Sequence, residues 1–403
     1  MLYQLYQMQD DMWAPIRSAA SRARLGLMTG AGMFNGTGQK LDAMFEMISR
    51  FQLTHASPGF KIDSVVSGGR DCAVTEEVAM ELPFGQLRHF VKDTGAVQPK
   101  VLVVAPLSGH FATLLRNTVE VLLRDHDVYV TDWINARDVP LSDGPFGVED
   151  YVEYLIRFME HLGPGCNVLA VCQPCVQTLI AVSVMSEENN PATPRTMTLM
   201  AGPIDVRESP TEVNALANDN PLSWFEKNVM ATVPARYPGA GRRVYPGFVQ
   251  LTAFLSMNMD RHRKQHQRLY DLLAAGEVEE AAKIKDFYDE YRSVCDMTAE
   301  FYLQTVQEVF QDHALPNGTF LHRGKRVDLG DITRTALLAI EGERDDISGL
   351  GQTKAALELT PRLDASKKRY YMAEGAGHYG IFNGSKWRTK VAPVVEQFIA
   401  THG

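Results

Sequence analysis

An apolar run, Val168-Leu-Ala-Val171, stops at Cys172, and a second apolar stretch, Val176 to Met185, starts four residues later. The first has the length of a buried strand. The second is long enough for nearly three helical turns. A chain passing from strand to helix within so few residues needs a sharp turn, and the residue at its tip projects above the sheet. Cys172 holds that tip, with Ala170 and Pro174 two positions to either side. A thiol there is a candidate nucleophile for acyl transfer, and the N-terminus of the following helix favours a thiolate. Two other readings compete. Cys172-Gln-Pro-Cys175 is a Cys-x-x-Cys, which serves as a redox pair or half of a zinc site, and a buried cysteine can simply pack as a small hydrophobe. No second Cys-x-x-Cys accompanies it. A thioredoxin-like pair belongs near the start of a small domain rather than in the middle of a large sheet. Cys175, one helical turn on, is read as packing.

Similar strand signals flank this turn. Lys100 to Ala105, Asp127 to Thr131, Arg195 to Met200, Thr335 to Ile340 and Arg369 to Met372 are short runs of the buried parallel type. Helical stretches separate them, about Ala112 to Arg124 and Val148 to Leu162, with a last helix from about Trp387 to Thr401. Thr75 to Val91 reads as a hairpin turning near Phe84-Gly85. The alternation implies an α/β class with a mostly parallel sheet covered on both faces. It lapses between residues 204 and 331, where Val249 to Met259 and Leu269 to Phe310 read as helices. The expected organisation is therefore an N-terminal helical segment over residues 1–60, a core over 61–203 and 332–403, and an inserted helical cap over 204–331. The N-terminal segment, broken at Thr29-Gly-Ala-Gly32 and Asn35-Gly-Thr-Gly38, is read as helices packed on the core, or as an arm for dimer or surface contact.

Composition narrows the class. The chain has 403 residues, 45% hydrophobic and 22% charged, with a net charge of -9. That balance disfavours nucleic acid and acidic membrane surfaces and suits a neutral substrate. Five cysteines, an odd and low number for this length, fit a reducing cytosol better than disulfide stapling. The N-terminus does not read as a signal peptide, and no apolar stretch has the length of a membrane span. With no Gly-x-Gly-x-x-Gly after a strand and no phosphate-binding loop, neither a nucleotide cofactor nor a metal is expected.

Thiol acyl transfer needs a base, a group that orients it, and donors for the oxyanion, all at carboxyl ends of strands. His378, in Glu374-Gly-Ala-Gly-His378-Tyr-Gly380, follows the last predicted strand and is the candidate base. His110 is the runner-up. Asp345, in Gly342-Glu-Arg-Asp345-Asp-Ile-Ser348, is the candidate orienting carboxylate, with Asp346 not separable by spacing. Pro106-Leu-Ser-Gly-His110 sits where an oxyanion loop is placed. The expected donors are the backbone N–H of Gln173 and that of Leu107 or Ser108. Ser108 lacks the strand-turn-helix context of a nucleophile. Arg261-His-Arg-Lys264 with His266 reads as a solvated helix face.

With Cys172-Gln-Pro174, Gly342-Glu-Arg-Asp345-Asp-Ile-Ser348 and Gly375-Ala-Gly-His378-Tyr-Gly380 in hand, the chain resembles the intracellular poly(3-hydroxybutyrate) depolymerases of the α/β-hydrolase superfamily. The resemblance runs from Met1-Leu-Tyr-Gln-Leu-Tyr6 through Asp132-Trp133-Ile-Asn-Ala-Arg137 to the C-terminal helix. It implies an α/β-hydrolase fold with a cap, a Cys172–Asp345–His378 triad, and hydrolysis of storage polyester through a thioester. It also implies a cytoplasmic location at polyester granules, with granules or hydroxybutyrate oligomers as partners, and no cofactor. A homodimer stays open. Synthases of the same polyester, thioesterases on hydroxyacyl-CoA, and depolymerases that pass the acyl group to CoA are the alternatives. Synthase elbows usually carry Gly-Gly after Cys-x, whereas Gln173-Pro174-Cys175 stands here. A granule-binding scaffold is a third reading. Trp224, Phe225, Tyr237, Tyr245, Phe248, Phe254, Met257 and Met259 are read either as an apolar groove for the polymer or as the cap's own small core.

Overall fold

The structure, a computed structural model, describes residues 2–29, 36–257 and 259–403. The break expected at Thr29-Gly-Ala-Gly32 lies mostly outside these residues, as do the side chains of Phe254 and Met257.

The core is one nine-stranded sheet. Its strands are β1 (Ser64–Ser67), β2 (Arg70–Leu82), β3 (Gly85–Lys92), β4 (Lys100–Val104), β5 (Asp127–Trp133), β6 (Asn167–Val171), β7 (Thr196–Met200), β8 (Ala336–Gly342) and β9 (Lys368–Ala373). The spatial order is β1-β2-β3-β5-β4-β6-β7-β8-β9. The first three strands and β5 pair antiparallel, and every pair from β5 to β9 is parallel. β3 leaves β2 through Pro83-Phe84, so the expected hairpin forms, although β2 begins earlier than expected. The exchanged order of β4 and β5, the parallel run after them and the turn after β6 make this an α/β-hydrolase fold.

Period-two alternation along each central strand feeds two separate cores. Leu102, Val104, Val168 and Ala170 face one, which also takes Tyr151, Leu155 and Phe158 from helix α4 (Val148–Leu162) and Leu179 and Ile180 from α5 (Cys175–Glu187). Val101, Val103, Leu169 and Val171 face the other, with Val119 and Leu122 of α3 (Arg116–Leu122) and Val395 and Phe398 of the C-terminal helix Ala392–His402. Central strands buried on both faces are mostly apolar, with Asn167, Thr196 and Thr198 among the few buried polar positions, which is why they read as nearly continuous apolar runs.

Between β7 and β8 the chain leaves the sheet. It forms α6 (Glu212–Asp219), α7 (Leu222–Asn228), α8 (Gly247–Met257), α9 (Met259–Ala275), α10 (Val278–Tyr291), α11 (Ala299–Gln304) and a π-helical run Thr305–Gln311. The sequence reading expected a purely helical insertion, and the structure corrects this. Ala231–Thr232, Arg243–Tyr245 and Met297–Thr298 join into a small antiparallel sheet. Strands of two or three residues carry no readable periodicity, so Leu269 to Phe310 looked continuously helical. Backbone bonds tie the excursion to the sheet's carboxyl end: Cys295 N–H donates to Gly109 C=O at 2.9 Å and Ala136 N–H to Asp296 C=O at 3.0 Å.

At the N-terminus, α1 (Leu2–Thr29) packs on α2 (Gly36–Ser49), and α2 packs on α9. The segment thus covers the excursion rather than the central sheet. Tyr3 is its anchor. It is 1% exposed, and its hydroxyl donates to Asp296 Oδ2 at 2.7 Å, while Asp296 Oδ1 accepts the Gly247 N–H at 2.8 Å. Leu5, Met8 and Met12 of α1 stay exposed.

A hydrogen bond to a buried charged group contributes about 1.5–3 kcal/mol, so Tyr3→Phe should lower unfolding free energy by an amount in that range in urea titration. An unchanged midpoint would contradict the anchor. Burial pushes Asp296 up to about 6. The folded value exceeds that of an unfolded aspartate, roughly 3.9, so the folded protein binds this proton more tightly. Its contribution to stability is fully present below the unfolded value and is lost as pH rises through about 6. Asp296→Asn should flatten this part of the stability–pH curve.

Candidate active site

β6 ends where the backbone turns left-handed: Cys172 has φ 67°. Its N–H makes the last sheet bond, to Met200 C=O at 2.7 Å, and its C=O accepts from Cys175 N–H at 3.1 Å. A side chain in this region costs roughly 1–2 kcal/mol, so neighbouring structure must hold it. Pro174 is buried and leads directly into α5. Gly202, after β7, packs so closely that a Cβ there would lie 2.2 Å from Cys175 Cβ and 3.1 Å from Cys172 O. Only glycine fits. The Cys175 thiol is fully buried, donates to Ala170 C=O at 3.4 Å, and is pushed well above the usual thiol range by burial. It is unsuited to attack, and the two cysteines are not joined by a disulfide.

Asp345 follows β8 and turns back over the sheet edge. Its side chain has no exposed surface. Oδ1 accepts the N–H groups of Ile347 and Ser348, each at 2.9 Å, and Oδ2 lies 2.8 Å from His378 Nδ1. Asp346 points to solvent. His378 opens a 3₁₀ turn after β9 and is 5% exposed. With Nδ1 on Asp345, the other ring nitrogen is left for Cys172, which lies close enough to act on the charge of the ring. Burial alone would favour a neutral ring. The charge of a Cys172 thiolate and that of Asp345 outweigh it and raise His378 well above the usual histidine range. The sequence-predicted Cys172, His378 and Asp345 therefore meet in one line.

The loop after β4 is held from below. Ala105 C=O accepts both Trp133 Nε1–H at 2.8 Å and Tyr151 O–H at 3.0 Å. Of the three amides expected at an oxyanion hole, Leu107 N–H is taken: it donates to Gln173 Oε1 at 3.3 Å. Among the described residues, the amides of Gln173 and Ser108 make no hydrogen bond to protein. His110 is buried, lies 3.1 Å from Tyr291 C=O through Nε2, and is lowered to about 4 by burial. It braces the loop against the excursion.

Cys172 and His378 open into a cavity of about 450 Å³. Its walls are largely apolar, with Leu107, Leu216, Phe225, Tyr245, Met297 and Phe301 among them. Of the apolar cap residues picked out in the sequence, Phe225 and Tyr245 line this cavity. Phe248 and Met259 line a separate groove beside α1, and Tyr237 packs with Tyr3. Arg261, Arg263 and Lys264 are exposed as expected, but His262 and His266 turn inward, with His262 Nδ1 3.0 Å from Tyr288 Oη. Among the described residues no cluster of three or more His, Cys, Asp or Glu side chains is arranged to hold a metal. Sequence reasoning missed Gly202, the Gln173 side chain and Ser348. No local pattern marks them, because each matters through a neighbour distant in sequence.

Cys72, Cys166, Cys175 and Cys295 are buried and only Cys172 is partly open. Brief treatment of the folded protein with iodoacetamide should modify one thiol by intact mass, and none in Cys172→Ala. Fast labelling of two or more would contradict this environment.

A family model described as "PHB de-polymerase C-terminus" matches residues 201–403. That stretch carries Asp345 and His378 but not Cys172. The poly(3-hydroxyalkanoate) polymerase subunit PhaC of Allochromatium vinosum is 24% identical over 315 residues, covering 75% of this chain and 80% of the polymerase. Similar solved structures include DcsB in complex with its substrate analogue (13% identity, TM-score 0.46, 82% of this chain and 99% of that one). A putative lipase from Acinetobacter baumannii is another (12% identity, TM-score 0.43, 81% and 93%). With half of its length matched, the chain belongs to the PHB de-polymerase C-terminus family, a polyhydroxyalkanoate-related family, and carries the α/β-hydrolase fold.

Proposed function

We propose that the protein transfers 3-hydroxyacyl groups of polyhydroxyalkanoate polyesters through a thioester on Cys172. The observation that carries this is the line Asp345–His378–Cys172 at the floor of an apolar cavity. The Cys172 thiolate attacks the acyl carbonyl while His378 holds the thiol proton. The amides of Gln173 and of Ser108 or Leu107 receive the oxyanion; Leu107 becomes available once the carbonyl displaces Gln173 Oε1. Collapse expels the leaving group, which takes the proton from His378 and leaves a thioester. Attack by the second acceptor, deprotonated by His378, restores the thiolate. Asp345 keeps the ring oriented and stabilises its charged form.

The direction of transfer divides two readings. The named relative spanning most of the chain is a polymerase subunit, which supports condensation of 3-hydroxyacyl thioesters onto a polyester better than the hydrolysis expected from the sequence. Hydrolysis remains the second reading on the elbow itself, where Pro174-Cys175 stand in place of the two glycines usual in synthases after Cys-x. The family's own description agrees with it. Either direction implies work at a polyester granule.

Two assays on purified protein separate the readings. With 3-hydroxybutyryl-CoA, polymerisation releases free CoA and builds polymer. With amorphous poly(3-hydroxybutyrate) granules, hydrolysis releases soluble acid. Cys172→Ala should abolish whichever activity is present. Asp345→Asn should lower kcat by about 10³–10⁴-fold, while His110→Ala retains turnover. No activity in either assay, or activity surviving in Cys172→Ala, would contradict the proposal.

A further inference from the structure

Two polar groups beside the reacting thiol lack partners. Ser348 is 3% exposed, and its hydroxyl is buried with no hydrogen bond. The Gln173 carboxamide holds Leu107 N–H through Oε1, yet its Nε2 is buried and bonded to nothing. Both residues line the cavity that Cys172 and His378 open into. Ser348 is fixed there by its own N–H on Asp345, and Gln173 by adjacency to the nucleophile. Buried donors and acceptors are unfavourable unless something supplies their partners, and natural structures leave few of them. The surrounding walls are largely apolar, and an oxygen carried by a ligand in this cavity would supply the partner.

We propose that Ser348 and Gln173 are specificity residues that read the oxygen on carbon 3 of the bound acyl unit. The inference rests on the acyl-transfer reading above. The chemistry of the two groups fits that oxygen. A carboxamide NH₂ only donates, and a hydroxyl both donates and accepts. A 3-hydroxyl can accept from Gln173 Nε2 while donating to Ser348 Oγ. In a polyester, where that oxygen is esterified, it still accepts from either. When the acyl carbonyl takes over Leu107 N–H, the Gln173 carboxamide is released to turn toward this oxygen. An acyl chain without it leaves both groups unpaired, which is the situation in which a site discriminates most strongly.

The test compares p-nitrophenyl 3-hydroxybutyrate with p-nitrophenyl butyrate as acyl donors. The readout is the ratio of their kcat/KM values, which does not depend on how much of a preparation is folded. The wild-type protein should favour the hydroxy ester by about tenfold or more. Ser348→Ala and Gln173→Leu should each bring the ratio toward one, and Ser348→Thr should keep it. Wild-type turnover of both esters with a ratio near one would overturn the inference alone. So would variants that keep the wild-type ratio, since loss of both rates together reports only packing. Turnover of neither ester by the wild-type protein would defeat the acyl-transfer reading, and this inference with it.

Discussion

Cys172 sits in a left-handed backbone that a residue with a side chain adopts only under constraint, and the surrounding packing supplies that constraint. Its N–H is still bonded to the sheet, at Met200, while its C=O already belongs to the turn that starts α5. Ala201, one strand over, is also left-handed, with φ 54°, and its N–H is bonded to Ile340. The two strand ends stop in step, and Gly202 fills the narrow space against Cys175. Thr353 Oγ1 then bridges Gly202, accepting its N–H at 2.8 Å and donating to its C=O at 3.0 Å. Through that bridge the elbow is tied to the segment that follows Asp345. Buried Glu341 holds the same segment, accepting the N–H groups of Gly351, Thr353 and Lys354.

The electrostatics follow from this geometry. Three ionisable side chains share a site closed to water on most sides, where Coulomb interactions are strong and unpaired charge is costly. Asp345 is met by two amides and the imidazole, and although burial disfavours the charged ring, Cys172 and Asp345 beside it raise His378. His110, nearby and equally buried, is moved the opposite way by desolvation. Two neighbouring buried histidines thus shift in opposite directions because of what faces them. The cap contributes less by charge than by exclusion. Tyr245 and Met297 of its small sheet, with Phe301 of α11, turn the space above Cys172 into an apolar cavity.

Much of this was legible before any coordinates. The central strands announce themselves because burial on both faces leaves mostly apolar residues. The chemical residues stand at the ends of those strands, so Cys172, His378 and Asp345 can be picked out by position. What could not be read depends on contacts between distant segments. Asp345 and Asp346 are equivalent in spacing, and only the turn of the loop sends one inward and the other to solvent. The small sheet inside the cap has strands too short for any period. The apolar residues of the cap gave no hint of which would face the thiol: Phe225 does, and Phe248 instead packs near α1. The hold of the Gln173 side chain on Leu107 N–H needs the fold.

The central claim is that the reaction passes through a thioester on the residue at the elbow. The most direct test is to quench the protein in acid during turnover of p-nitrophenyl 3-hydroxybutyrate and map the acyl group by peptide mass spectrometry. One 3-hydroxybutyryl group on Cys172, removed by neutral hydroxylamine and lost in Cys172→Ala, is the predicted result. An adduct on Cys175 or Ser108, or turnover without any adduct on Cys172 under rapid quench, would contradict it.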